Sequence, residues 1–201
     1  MIRLALPRFY MPRGTRLEGR RVYLRPPRYR DWRAWSHLRA ISRDFLAPWE
    51  PTWHADALGH ASYRRRLRMM ALEWRDDVGY SFLVFRREDD ALLGGTTLSH
   101  LRRGVSQTAS LGYWIGAPYA RQGYMTDALL ALLPFAFDRL GLHRIEAACL
   151  PRNVASRGLL QKVGFREEGL AREYLRIDGT WQDHVLYGLL RQDLRTGLPA
   201  A

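Results

Sequence analysis

The 201-residue chain holds one cysteine, Cys149, and one lysine, Lys162. A lone cysteine excludes an internal disulfide, and the six histidines are scattered singly, so no Cys/His spacing suggests a zinc or other metal site. No run of about eighteen apolar residues occurs, which argues against a membrane-spanning helix. Met1 to Tyr10 has neither the length nor the cleavage-site character of a signal peptide, so a cytoplasmic protein with no membrane partner is expected. Repeats and low-complexity linkers are lacking too. A composition that is 47% hydrophobic over this length fits one domain, expected at 15–195, behind a basic tail at 1–14.

Acidic residues are also in short supply. Twenty Asp and Glu face 32 Lys and Arg, a net charge of +12 that would suit nucleic acid, a membrane surface or an acidic cofactor. Almost all of that charge is arginine. Such a bias can simply record a GC-rich genome, so charge alone does not assign RNA binding.

What the chain does contain is an organising stretch from Ala109 to Asp127. Leu111, Tyr113 and Ile115 alternate with Ser110, Gly112 and Trp114, the period of a strand; after Pro118 the period becomes helical, with Leu129, Leu132, Leu133, Ala136, Phe137 and Leu140 on one face. Gly123, Tyr124, Met125 and Thr126 then fall in the first helical turn. Their amides lack intrahelical partners and sit where the helix dipole favours negative charge, so this turn is a candidate phosphate site. A plain strand–turn–helix, with Gly123 only making the turn, is the alternative.

Around this stretch, Arg21 to Arg25 alternates as a first strand. Asp31 is placed to cap a helix through about Ser42 that carries Trp32, Trp35, Leu38 and Ile41 at helical spacing. Phe45 to Pro51 is apolar but has two prolines, so a non-helical loop is expected there, serving as a lid on the core or a wall of an acceptor site. A second helix follows, with Tyr63, Leu67, Met70, Ala71 and Trp74 inward and Arg64, Arg65, Arg66 and Arg68 outward. Two strands, Tyr80 to Arg86 and Leu92 to Ser99, lead into the organising strand. Beyond it, Pro134 should kink the long helix and Gly141 end it. A strand from His143 to Leu150 precedes a helix that Asn153 caps and Gly164 ends. Two closing strands meet at Asp178-Gly179, a tight-hairpin dipeptide.

This order, the turn, and the motifs Phe45-Leu-x-Pro-Trp-Glu-Pro, Leu111-Gly-Tyr-x-Ile-Gly, His143-Arg-Ile and Tyr174-Leu-x-Ile-Asp-Gly-x-Trp-x-Asp-His-Val resemble the GNAT acetyltransferases, in particular their RimJ branch of ribosomal-protein-alanine N-acetyltransferases. The likeness covers roughly Leu17 to Leu190. The turn is similar to the family's coenzyme A loop, Gln/Arg-x-x-Gly-x-Gly/Ala, with Ala120 and Met125 replacing its first and last members. The resemblance implies an α/β (α+β) GNAT fold: a mixed, V-shaped sheet of six or seven strands flanked by about four helices.

It also implies acetyl-CoA as cofactor. The phosphates would lie at Gln122, Gly123, Tyr124, Met125 and Thr126, with Arg121 and Arg157 supplying positive charge. The pantetheine arm would run along Trp114, Ile115, Gly116 and Ala117 in the manner of an added strand, with Asn153 and Ser156 beside it. Acetyl would pass straight to the amine, with no acetyl-Cys149 intermediate. By resemblance, Glu173 is the expected base and Glu146 its rival. Ser156 is the expected acid for the leaving thiolate, with Tyr174 in reserve. Trp49 and Glu50 are expected at the acceptor. The implied acceptor is an N-terminal Ala or Ser of a ribosomal protein. A small amine such as an aminoglycoside or polyamine is the runner-up, through Glu50, Glu173, Asp178 and Asp183, and a non-catalytic ribosome- or RNA-binding module is a third reading. Monomer and homodimer both remain open.

Overall fold

The computed structural model describes residues 14–194. Nearly all of the expected tail, 1–14, lies outside them, as does residue 195. Eight strands form one sheet: β1 (Leu17–Glu18), β2 (Val22–Arg25), β3 (Tyr80–Arg86), β4 (Leu92–Arg102), β5 (Thr108–Ile115), β6 (Arg144–Cys149), β7 (Arg166–Ile177) and β8 (Thr180–Leu190). Their spatial order is β1-β2-β3-β4-β5-β6-β8-β7, and among the described strands only β5 and β6 pair in parallel. The expected mixed sheet is present with one strand more than anticipated. Leu17–Glu18 pairs with Leu24 and Tyr23 across a turn closed by Gly19 N to Val22 O at 2.9 Å, and two residues are too few to display alternation.

Five α-helices flank the sheet: α1 (Trp32–Ile41), α2 (Arg43–Leu46), α3 (His60–Arg75), α4 (Tyr124–Pro134) and α5 (Val154–Val163). Alternation along β2 and β3 supplies both layers. Val22, Leu24, Phe82 and Val84 pack with Leu129 and Leu132 of α4, whereas Tyr23, Leu83 and Phe85 pack with Trp35 and Leu38 of α1 and Tyr63 and Leu67 of α3. Leu24, Leu129 and Leu132 are fully buried, each worth about 1.5–3 kcal/mol relative to exposure.

Two local expectations change. Asp31 does not cap α1 with its side chain; it is 6% exposed, accepts the Arg28 amide at 2.7 Å across the 3-10 turn Tyr29–Asp31 that leads into α1, and grips Arg25 through two bonds of 2.7 Å, because burying an arginine requires a paired carboxylate. The prolines after Phe45 do not abolish helix: α2 and a 3-10 turn, Ala47–Trp49, occupy the segment, with Pro48 in the first turn, where a missing N–H costs nothing. At Pro134, where a kink is expected, the α-helix gives way. The chain continues as a π turn, Phe135–Arg139, closed by Leu140 N to Phe135 O at 2.9 Å, before Gly141 (φ 66°) stops it.

Candidate functional site

The parallel pairing of β5 with β6 runs only from Thr108↔Arg144 to Ser110↔Glu146. Beyond it β5 stays on β4 as far as Ile115↔Gly94, and β6 stays on β8 as far as Cys149↔Val185. The sheet therefore opens into a V, with Glu146 at its closed end. Gly112 lies on the open arm, and a Cβ there would meet nothing within 4 Å, so the protein's own packing does not require a glycine at that point. Gly116 is different: a Cβ would strike Leu38 Cδ1 at 2.4 Å, which makes it a packing glycine.

After Ile115 the chain is pinned by Gly116 N to Leu93 O (2.8 Å) and Ala117 N to the fully buried Ser42 Oγ (2.9 Å). Trp114, Ile115 and Ala117 are half-buried along this path. Arg121 (φ 59°) and Gly123 (φ 80°) then turn the backbone through left-handed conformations. At 123 a Cβ would have no neighbour closer than 3.9 Å, so glycine serves the conformation and leaves the approach clear. The first i→i−4 bond of α4 is Asp127 N to Gly123 O (3.1 Å), so the amides of Gly123 through Thr126 precede the helix's own hydrogen bonding. Met125 and Tyr124 are each 6% exposed, their side chains turned into the core, so Met125 does not crowd those amides. Arg121 and Gln122 are exposed, and Gln122 Nε2 donates to Pro118 O (2.8 Å).

The turn is braced by residues that sequence reasoning did not single out. Arg21 Nη1 donates to Gln122 O (2.9 Å), and its guanidinium lies 4.1 Å over the Tyr124 ring. Hydrogen bonding by Arg86, then Arg21, lowers the pKa of the Tyr124 phenol. Asp127 accepts the amides of Arg20, Arg21 and Val22 at 2.9, 2.7 and 3.1 Å. These contacts join segments about a hundred residues apart and leave no local trace in sequence.

Across the V, Asn153 caps α5 as expected, its Oδ1 accepting Ser156 N at 3.0 Å. Ser156 Oγ meets the hydroxyl of Tyr113 at 2.7 Å. Burial pushes the Cys149 thiol up, the state of a packed small hydrophobe rather than of an activated nucleophile. Arg157, expected near phosphate, instead binds Tyr187 Oη (3.1 Å) and Glu167 (3.1 Å).

The expected bases lie far apart. Glu146 is held by Arg144 (3.0 Å) and Arg102 (3.5 Å). Glu173 sits in a bulge of β7 between Ala171 and Leu175, at φ 45°, its amide donating to Asp183 Oδ1 (2.9 Å). Glu146 pairs with Gly188 and Glu173 reaches Asp183, so the two are roughly 16 Å apart along β8 at ~3.3 Å per residue. Tyr174 is 47% exposed and packs edge-on to His184.

Trp49 and Glu50 belong to a wall joined to the hairpin. Glu50 O accepts Asp178 N (3.1 Å), and Arg152 links Gln182 Oε1 (2.6 Å) to Pro48 O (3.4 Å) while lying 5.7 Å from the Trp49 ring. The Glu50 carboxylate is taken by Arg39 (2.8 and 2.5 Å) and Trp53 Nε1 (2.8 Å).

Fold and site together define an α/β domain suited to a phosphate-bearing ligand, with a helix N-terminus opening beside parted strands. A family model described as "Acetyltransferase (GNAT) domain" matches residues 21–166. The [ribosomal protein uS5]-alanine N-acetyltransferase of Escherichia coli (strain K12) is 34% identical over 184 residues, 91% of this chain and 94% of that protein. The structure described as Mycobacterium smegmatis RimJ in complex with CoA-disulfide has a TM-score of 0.85 at 33% identity, covering 94% of this chain and 91% of that one. The ribosomal-protein-S5-alanine acetyltransferase from Vibrio fischeri has a TM-score of 0.83 at 27% identity, covering 90% and 98%. The chain belongs to the GNAT family and is an N-acetyltransferase.

Proposed function

We propose that this domain, spanning about 15–195, is a cytoplasmic enzyme that transfers acetyl from acetyl-CoA directly to the N-terminal α-amine of a protein, an alanine or serine of a ribosomal protein being the favoured acceptor. The observation that carries the reading is the open N-terminus of α4 beside the parted arm of β5: amides for a pyrophosphate at Gly123 to Thr126, and strand edge for an amide-bearing arm at Trp114 and Ile115, the amides of Gly116 and Ala117 being already taken by Leu93 O and Ser42 Oγ. Asn153 and Ser156 line the facing side of the V. The relatives named above act on ribosomal protein alanine, which supports that acceptor class.

An α-amine with a pKa near ~8 loses its proton far more readily than a lysine at ~10.4, so one carboxylate is a sufficient base. Glu173 fits that part. Among the described residues its carboxylate makes no salt bridge, and a non-glycine held at positive φ in a bulge is the kind of strain that gathers at functional sites. Glu146 already serves two arginines. The small-amine reading loses support from Glu50, whose carboxylate is neutralised by Arg39 under Trp53.

Peptides beginning with free Ala or Ser, assayed beside a panel of polyamines and aminoglycosides, test the acceptor. Turnover of peptides is expected; turnover confined to the amines would discard the peptide reading. Tight, steeply salt-dependent RNA binding with no response to coenzyme A would replace the enzyme reading altogether.

A further inference from the structure

Tyr113 lies on β5 past Ser110, where the strand has already left β6, and its phenol crosses to the first turn of α5. The hydroxyl is 2.7 Å from Ser156 Oγ and 3.4 Å from Ser156 O. Ser156 is itself fixed by its amide bond to Asn153 Oδ1. The charged and titratable groups facing this pair are Cys149 of β6, Tyr187 of β8, Arg157 of α5 and Glu167 of β7. The last three satisfy one another: Arg157 binds Tyr187 and Glu167, and Tyr187 Oη donates to Glu167 Oε2 at 3.2 Å. Tyr113, Ser156 and Cys149 remain as a separate run of two hydroxyls and a thiol.

Burial raises the pKa of Tyr113, so its phenol keeps its proton throughout the range in which an enzyme works. A phenol that keeps its proton is a donor. Either hydroxyl can donate in the 2.7 Å contact; with Tyr113 as the donor, its proton fills a lone pair of Oγ and leaves the serine's own proton to be given elsewhere.

We propose that Tyr113 is a positioning residue for Ser156, aiming the serine hydroxyl at the sulfur that departs when an acyl thioester is cleaved. This rests on the acetyl-CoA reading above. In that reaction an N–C bond forms as a C–S bond breaks; the amine nitrogen gives up one proton, the sulfur gains one, and nothing else is consumed. Tyr113 keeps its own proton and strengthens Ser156 as donor to the developing thiolate.

The test uses the full chain and two readouts. Ultraviolet titration of bound coenzyme A, taken as a difference from coenzyme-free protein so that Cys149 cancels, is expected to show the ligand thiol ionising at lower pH than when free. Tyr113→Phe and Ser156→Ala should each raise that value, and the double variant should raise it no further. In steady-state kinetics Tyr113→Phe should lower kcat by roughly ten- to a hundredfold, less than the 10²–10³ for losing a direct donor, with little change in KM for acetyl-CoA. Losses from Tyr113→Phe and Ser156→Ala should be far from additive. A bound thiol that titrates alike in native and Tyr113→Phe protein overturns the proposal and leaves the acetyl-CoA reading standing. Native protein that does not bind coenzyme A overturns both.

Discussion

Asp127 Oδ2 accepts the amide of Arg21 at 2.7 Å across 106 positions of sequence, and Arg21 returns the contact by donating from Nη1 to Gln122 O. One carboxylate in the first turn of α4 thus fixes the start of β2, and Arg21, just before that strand, fixes the loop before the helix. Asp127→Ala leaves three backbone donors without their anionic acceptor. A loss of about 1–3 kcal/mol in urea unfolding is expected, with weaker binding of coenzyme A by calorimetry. Unchanged affinity would mean that the loop holds its shape without this clamp.

Gly123 stands at φ 80° directly before the free amides. Replacing it by Asp imposes a left-handed backbone on a side-chain-bearing residue, a strain of roughly 1–2 kcal/mol, and sets a carboxylate where phosphate is expected. Calorimetry should show saturable coenzyme A binding by the native protein and none by Gly123→Asp. Retained binding in the variant would place the phosphates elsewhere.

Cys149 is buried with a raised pKa, so direct transfer in a ternary complex is expected rather than an acetyl-cysteine intermediate. Initial-rate patterns should be sequential, and Cys149→Ala should remain active. Ping-pong kinetics would overturn this.

Glu173→Gln should lower kcat by roughly 10² to 10⁴, the usual worth of a positioned base, with little change in acetyl-CoA affinity. Glu173→Gly should lose the same activity yet gain stability, because glycine relieves the φ of 45°. If the Gln variant keeps native kcat between about pH 6 and 9 while Glu146→Gln loses it, the base is Glu146.

Asp77 receives Arg103 at 2.7 and 2.8 Å and also bonds the Tyr80 hydroxyl; the Arg103 bond leads in holding its carboxyl below the usual range. A depressed carboxylate stabilises the fold above its unfolded pKa of about 3.9, and that contribution fades as pH falls through the lower folded value. Asp77→Asn should therefore lower stability at neutral pH and flatten its decline below about pH 4 in denaturant titrations at stepped pH. An unaltered acid limb would assign the decline to other carboxylates.

Features written in adjacent residues were legible before any fold was known. The period change around Pro118 marked the strand-to-helix turn, Asn153 and Gly164 bracketed α5, and Asp178-Gly179 (φ 44° and 78°) joined β7 to β8. Features that depend on a distant partner were not. Asp31 has the local signature of a cap, and its part as counter-ion to Arg25, six positions earlier, appears only once the chain after β2 turns back on itself. The reach of Tyr113 to Ser156 requires knowing that β5 and β6 part after Ser110, which no spacing encodes. Glu173 was singled out by resemblance alone, since the bulge that sets it at positive φ leaves no mark in its neighbours.

The bond from Asp178 N to Glu50 O has a consequence for the order in which the protein is made. The wall around Trp49 and Glu50 belongs to the first third of the chain, but its partner hairpin is synthesised close to the end. During translation the wall must wait for that bond while α4 and α5, which precede the hairpin in sequence, emerge. A ribosome that stalls before residue 178 therefore displays a chain that holds the full amide cradle of α4 but lacks one side of its cleft. The two halves of the site have different birthdays.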